Sequence, residues 1–208
     1  MRWRRKIIGC AILPVLLVSC ALPPPVIRKT ADPVRLWQAR EVMLGRLANW
    51  GLRGRIAMKQ GRKAWQTHVI ACWREGDGYR LDFLSLFGQQ QARLEGVPGA
   101  VTLYLPKAKR VTARDPDQLL KAQLGWSIPV RGLRSWIRGL PVGSLPADRV
   151  LDQAGRITRM DQQGWSIEYR RYTVFEHVDM PKMLIFRRDE LRLQLVVDRW
   201  LSAEQCLR

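Results

Sequence analysis

Histidine occurs only twice in the 208 residues, as His68 and His177. Neither has a second histidine at ligand spacing, and no HExxH or CxxC appears, which argues against a zinc site. Gly-x-Ser-x-Gly and phosphate-loop motifs are missing too. The glycines of Gly51-Leu52-Arg53-Gly54-Arg55 are followed by no helical pattern, so they make a poor phosphate cradle. Asp115 and Asp117 stand close together, but their place is the start of a helix, and nothing singles out a catalytic pair of carboxylates. The expectation is a protein that is not an enzyme and needs neither metal nor cofactor. No repeat of fixed period and no low-complexity block occurs. Acidic residues are also few, with 18 Asp+Glu against 36 Lys+Arg and a formal charge of +18. That balance suggests an anionic partner. The basic residues are spread through strands and turns: Arg53, Arg55, Lys59, Arg62 and Lys63, then Lys107, Lys109 and Arg110, then Arg187 and Arg188. No helix, finger or RNA-binding strand motif organises them, so nucleic acid is not the expected partner. Solvated strand faces and attraction to anionic lipid head groups both fit them.

What is present begins with a short apolar run. Arg2, Arg4, Arg5 and Lys6 precede Ile7–Val18, which is nearly all apolar and broken by Gly9 and Pro14. The run falls short of the roughly 20 residues that a membrane span needs. A basic start, a short apolar stretch and small residues at its end describe an export signal over residues 1–19. Leu17-Val18-Ser19-Cys20 resembles a bacterial lipobox, in which cleavage makes the cysteine the first residue and the site of lipid attachment. Several acyl chains on Cys20 anchor a protein stably, where one binds only marginally. Without the four basic residues of the leader, 32 Lys+Arg remain against 18 Asp+Glu, or +14. Residues 20–31, with Pro23-Pro24-Pro25, read as a tether from the acylated cysteine, the alternative being a terminus that docks on the domain. Cys72 and Cys206 also remain, and an exported chain permits a disulfide. Sequence leaves open whether these two pair.

A single domain is expected over residues 32–208. Asp32-Pro33 is a helix start, with Asp at the N-cap and Pro at N1. Leu36, Trp37, Arg40, Leu44 and Leu47 follow at helical spacing. After Asn49 the period becomes two. Leu52, Gly54, Ile56 and Met58 alternate with Arg53, Arg55, Ala57 and Lys59. Trp65, Thr67, Val69, Ala71 and Trp73 do likewise, followed by Tyr79, Leu81 and Phe83 and later by Val101, Leu103 and Leu105. Gly76-Asp77-Gly78 and Gly96-Val97-Pro98-Gly99 supply turns. Two short helices interrupt the strands. Asp115-Pro116 opens the first, which carries Leu119 and Leu120 and stops at Gly125. Pro129 opens the second, which carries Leu133, Trp136 and Ile137 and ends at Gly139-Leu140-Pro141. Alternation returns at Trp165, Ile167 and Tyr169 and again at Leu191, Leu193, Leu195 and Val197. About eleven strands with hairpin punctuation predict a mainly β fold, an incompletely closed antiparallel barrel with the helices over its open side. The tryptophans divide between core and cavity wall in a way that pattern alone does not decide. Leu84-Ser85-Leu86-Phe87-Gly88 ends one strand, and from pattern alone it is either a buried strand end or a loop with Leu86 and Phe87 exposed.

Together these motifs resemble one family. Trp50-Gly51-Leu52-Arg53-Gly54-Arg55-Ile56-Ala57 is similar to the W-x-L-x-G-R-I start of the LolB outer-membrane lipoproteins. Leu124-Gly125-Trp126-Ser127-Ile128-Pro129 with Leu133, Trp136, Gly139 and Pro141 resembles that family's helical segment. Gly164-Trp165-Ser166-Ile167-Glu168-Tyr169 resembles its GW-x-x-x-Y strand, and Met180-Pro181 its Leu-Pro step. The resemblance implies a half-barrel with a helical lid over an apolar cavity, and no bond chemistry. It implies a receptor on the outer membrane, facing the periplasm, that takes lipoproteins from a LolA-type carrier and inserts them into outer-membrane phospholipid. Leu86-Phe87-Gly88 stands where the family has an apolar, membrane-entering Pro-Leu-Gly loop, with the proline lost and the apolar tip enlarged. Ala21 after the cysteine fits outer-membrane sorting. Leu52, Ile56, Trp65, Val69, Trp73, Leu81 and Phe83 are the expected acyl-cavity residues, although a one-residue slip in register would swap the faces. The expected working unit is a monomer. The alternative is an envelope assembly lipoprotein that uses a similar half-barrel to bind a protein or another lipid.

Overall fold

The computed structural model describes residues 32–207 apart from residues 75 and 77. The predicted leader, Cys20 and the tether lie outside the described residues. The chain starts with α1 (Pro33–Gly45) and continues through β1 (Trp50–Gln60), β2 (Lys63–Trp73), β3 (Tyr79–Leu84), β4 (Gln90–Val97), β5 (Ala100–Tyr104) and β6 (Arg110–Ala113). The helices α2 (Pro116–Leu124) and α3 (Val130–Trp136) follow. The second run of strands is β7 (Asp148–Leu151), β8 (Ile157–Gln162), β9 (Trp165–Phe175), β10 (Val178–Arg188) and β11 (Leu191–Leu201), and the short α4 (Ala203–Leu207) comes last.

All eleven strands form one antiparallel sheet in the order β6-β5-β4-β3-β2-β1-β11-β10-β9-β8-β7. Every pairing joins neighbours in sequence except the seam of β1 on β11, where Leu52 faces Trp200 and Ile56 faces Leu195. The fold is therefore two meanders, β1–β6 and β7–β11, joined at their oldest and newest strands. The sheet does not close, because β6 and β7 remain its edges. Both edges have four residues. Short edges carrying charge, here Arg110 and Arg149, limit pairing with another chain. The link from β6 to β7 holds α2 and α3, so the helices span the gap between the edges.

Alternation along the long strands sorts the faces. On β1, Leu52, Gly54 and Met58 are buried while Arg53, Arg55 and Lys59 are exposed. On β11, Leu191, Leu193, Leu195 and Val197 are buried against exposed Arg192 and Asp198. The helices start as their caps dictate. The Asp32 carboxylate accepts from Val34 N at 3.0 Å, and that of Asp115 accepts from the N–H groups of Asp117 and Gln118 at 2.9 and 3.1 Å. Gly125 ends α2 at φ 70°, a backbone conformation that glycine takes freely. α1 lays Trp37 and Leu44 inward. Buried Arg40 stacks over the Tyr172 ring at 5.4 Å.

The sheet has two unlike ends. At the Trp50 end, Trp50 and Trp73 stack with centroids 4.2 Å apart, and Trp200 packs beside them at 5.6 Å. There Cys72 and Cys206 form a disulfide with Cα atoms 5.8 Å apart, which ties α4 to β2. Gly51 lies beneath it: an added Cβ would stand 2.3 Å from Cys206 Sγ and 2.5 Å from Ala71 O, so no side chain fits. The opposite end, where β1 finishes at Gln60, carries the turns β1–β2, β8–β9 and β10–β11, and the β3–β4 loop and the β5–β6 turn project toward it.

Candidate functional site

Strand alternation and the crossing helices bring apolar side chains face to face. Leu52, Ile56, Val69, Trp73, Leu81 and Phe83 line one wall of an apolar space, with Leu133 and Ile137 of the α3 segment above them. Ala71, Ile128, Phe186, Leu193 and Leu195 complete the lining. Trp65 lies outside it. It shares the inward face of β2 and sits opposite Met58, but four residues beyond Val69. There it is half-buried beside Lys59, Gln66 and Arg192, past the cover of the helices. Leu119, Leu120 and Trp136 are buried in the core yet do not border the space. α2 instead packs on β5 and β6, and Trp136 turns toward Trp165, 6.2 Å away.

The enclosed space measures only about 20 Å³, room for one water. Sites that bury a small ligand run to roughly 300–1,000 Å³. The structure thus holds the helices down on the sheet, and a long apolar ligand enters only if they lift. Two groups of polar contacts hold them. The Gln162 carboxamide accepts from Trp136 Nε1 at 2.7 Å and Val142 N at 2.9 Å and donates to the carbonyls of Val142 and Leu145. Tyr169 donates its hydroxyl to Trp136 O at 2.8 Å, and burial pushes that phenol well above its ordinary pKa. Beyond α3, Arg138 donates to the carbonyls of Leu44 and Leu47 at 2.7 and 3.1 Å and lies over the Trp50 ring at 5.3 Å. Burial, and then the neighbouring charge of Arg134, pull the Arg138 pKa down to about 10. It remains a cation at neutral pH.

By strand register Gln162, paired with Trp165, stands toward the Gln60 end, so the first of these groups fastens the helical segment there. The Asp117 carboxylate accepts from Val130 N at 2.9 Å, and burial raises its pKa despite that bond. Beside it opens a cleft of about 500 Å³, bordered by Gln60, Lys121, Ser127, Ile128, Trp165 and Leu191 among others. Ile128 borders both this cleft and the apolar space. It is the partition between them.

The β3–β4 connection is a loop, not a buried strand end. Ser85 Oγ accepts from the N–H groups of Phe87 and Gln89 at 3.2 and 3.1 Å. Gly88 turns the chain at φ 81°. The loop exposes Leu86 by 62% and Phe87 by 92%. Large apolar side chains so placed lose solvation free energy unless something covers them. Among the described residues no three His, Cys, Asp or Glu side chains converge as metal ligands would. No helix there is long and apolar enough to cross a membrane.

The lining residues on β1 to β3 follow from alternation alone. Leu193 and Leu195 carried the same signal, but no rule chose among the inward leucines those that border the space. Ile128 and Phe186 carried none, since one sits in a loop and the other in a strand whose start at Val178 has no alternation.

Comparison with known proteins agrees with this architecture. The family model described as "Outer membrane lipoprotein LolB" matches residues 48–200. A protein named outer-membrane lipoprotein LolB from Nitrosococcus oceani is 35% identical over 201 residues, covering 96% of this chain and 98% of that one. A relative of the same name from Halorhodospira halophila is 30% identical over 205 residues, covering 98% of both. Among solved structures, a LolA superfamily protein from Nitrosomonas europaea superposes with a TM-score of 0.53 at 4% identity, over 81% of this chain and 92% of that one. A DUF1329 family protein from Desulfovibrio piger gives 0.55 at 8% identity, over 82% and 93%. At such identities these two share the fold alone.

Proposed function

The chain belongs to the LolB family of outer-membrane lipoproteins, and from that premise we propose that it is a receptor, anchored through Cys20 to the outer membrane and facing the periplasm. It accepts lipoproteins from a LolA-type carrier, shelters their acyl chains between sheet and helices, and releases them into the membrane as a monomer. The observation that carries this reading is one of placement. The cleft behind Ile128 and the loop that exposes Phe87 lie toward the Gln60 end of the sheet, and the apolar lining runs from Trp73 at the other end to Ile128 at that cleft.

The physics of transfer asks for that placement. Each CH₂ shielded from water is worth about 0.8 kcal/mol, so acyl chains pass through water only under cover. An apolar wall that runs from the interior to a cleft, with a membrane-seeking side chain at the same end, provides cover up to the bilayer. The collapsed space means that no void stands hydrated when the receptor is empty. A chain that slides past Ile128 lifts α2 and α3 and replaces their contacts with its own. The chain's affinity is then the apolar gain less the cost of that lifting, which keeps binding reversible.

Carrier loaded with labelled lipoprotein, mixed with this protein on vesicles, tests the reading. Phe87→Glu is expected to slow delivery to the vesicles at least tenfold while capture from the carrier persists. Delivery at the parent rate would sink the role given to the loop. Ile128→Asp is expected to impair capture itself, because a carboxylate then stands at the entrance to an apolar wall. Acyl chains found by mass spectrometry in purified parent protein and missing from that variant would support the route.

A further inference from the structure

The cations of this protein fall into two populations. On the outer face of the sheet many are paired. Arg55 meets Asp198 at 2.9 Å, Arg80 and Arg93 flank Asp82 at 2.7 and 2.6 Å, and Arg170 and Arg187 share Glu168. At the β5–β6 turn the pattern changes. Pro106, Lys107, Ala108, Lys109 and Arg110 are all exposed, and none of the three cations has an ion-pair partner among the described residues. From Gly96 to Arg114 the chain contains no carboxylate at all. The β10–β11 turn differs, since it carries Asp189 and Glu190 beside Arg187 and Arg188.

The position of this turn is what gives the charge a partner. β5 runs antiparallel to β4, with Arg93 opposite Tyr104. The β5–β6 turn therefore lies one strand away from the start of β4, toward the same end as the Phe87 loop. Tyr104, 37% exposed, stands between them at the end of β5. An apolar tip, an exposed tyrosine and a carboxylate-free cluster of cations follow one another across one end of the sheet. A membrane offers a partner to each: hydrocarbon to the tip, the interface to the tyrosine and anionic head groups to the cations. The turn also holds Lys107 and Ala108 at φ 60° and 56°, where residues other than glycine are disfavoured. The chain accepts that backbone and presents Lys107 at its apex.

We propose that Lys107, Lys109 and Arg110 form a head-group site for anionic phospholipid, which fixes the angle at which the Phe87 loop meets the bilayer. The proposal rests on the membrane role given to Phe87 above. Its own content is lipid selectivity: the loop supplies depth without regard to charge, and the turn supplies preference for negatively charged lipid. Each cation near an anionic surface contributes about 1 kcal/mol, so three together correspond to roughly a hundredfold in local partition.

The test uses the full acylated chain held by its own anchor on vesicles of phosphatidylcholine, with or without a quarter of phosphatidylglycerol. Hydrogen exchange is followed in the peptides that cover the β3–β4 loop and the β5–β6 turn. With phosphatidylglycerol the β5–β6 turn is expected to exchange at least threefold more slowly, and 0.5 M salt is expected to remove the difference. The triple variant Lys107→Gln, Lys109→Gln, Arg110→Gln is expected to lose that protection while keeping the β3–β4 protection seen on phosphatidylcholine alone. Unchanged exchange in β2 and β3 certifies its fold. Equal exchange of the turn on both vesicles, or full protection in the triple variant, overturns the proposal. Protection of the turn that appears only when carrier protein is added would make it a protein-docking surface and also overturn it. A β3–β4 loop unprotected on both vesicles would instead defeat the reading of Phe87, whatever the turn does.

Discussion

The two ends of the sheet are made of the same strands and are finished in opposite ways. At the Trp50 end the chain packs and cross-links: three stacked or tilted tryptophans, a disulfide, and Arg138 reaching across to the carbonyls of Leu44 and Leu47. At the Gln60 end Gln162 still holds Trp136, but the chain leaves a cleft open, a phenylalanine bare and three turn cations without ion-pair partners among the described residues. The difference teaches where such a half-barrel keeps its stability and where it keeps its freedom. A sheet with two edges has to be fastened somewhere, and fastening it at one end lets the other open.

Four changes break or sharpen this contrast, from the largest expected effect to the smallest. Removing the disulfide with Cys72→Ser and Cys206→Ser together is expected to cost about 2–5 kcal/mol of stability, read as a fall in the denaturant midpoint. A midpoint that ignores both this pair of substitutions and added reductant would show that the Trp50 end is not fastened there. Arg138→Met is next, at about 2–3 kcal/mol, since it leaves two inward carbonyls without their charged donor. Hydrogen exchange should then rise in α1 first; if α1 keeps its protection, the arginine is not what holds that helix.

The Gln60 end is expected to respond weakly, and one response has the opposite sign. Burial raises the folded-state pKa of Asp117. A carboxyl that binds its proton more tightly when folded favours the fold below the unfolded-state pKa. It loses that contribution as pH rises through the folded-state value. Asp117→Asn, which still accepts from Val130 N, is therefore expected to gain stability relative to the parent as pH rises from 3 to 7. The same titration of Asp152 runs the other way, because hydrogen bonds from Arg156 and Ala154 more than offset its desolvation and lower its pKa. A parent-to-variant difference for Asp117→Asn that is flat in pH would count against the burial assigned to that carboxyl. Smallest of all is Phe87→Glu, expected to move stability by less than about 0.5 kcal/mol, because the ring touches little of the folded chain. A large loss on melting would mean that the ring is part of the core after all.

Much of this was legible in the residues themselves. Alternation is a local property, so the long strands and their inward faces could be read from Leu52, Ile56, Val69 and Phe83. The caps Asp32, Asp115 and Gly125 act within one turn of chain and could be read the same way. What stayed hidden depends on distance along the chain. Trp65 had the right parity and the wrong height, because parity does not say how far the helices reach along a strand. Pairing of Cys72 with Cys206 across 134 residues needed the β1–β11 seam, which no local pattern announces. α4 was missed because five residues after a strand hold too little periodicity to notice. Ile128 belongs to a loop, and its place as partition is set by everything around it.

The seam carries a consequence for how the protein comes into being. Ten strand pairings hold the sheet together, and nine of them join consecutive strands. Those nine form by short loop closures, which are fast. The tenth, β1 on β11, brings Gly51 to Leu201 and closes a loop of most of the chain. Loop-closure entropy and contact order both make it the slow step. Until it forms, each meander exposes one apolar face and a long edge strand, and Cys72 waits for a partner 134 residues later in the chain. As the chain is made, then, the half that ends in α2 and α3 emerges first, with nothing beneath its helices but its own strands. Its protection from aggregation over that interval depends on how quickly the last strand arrives.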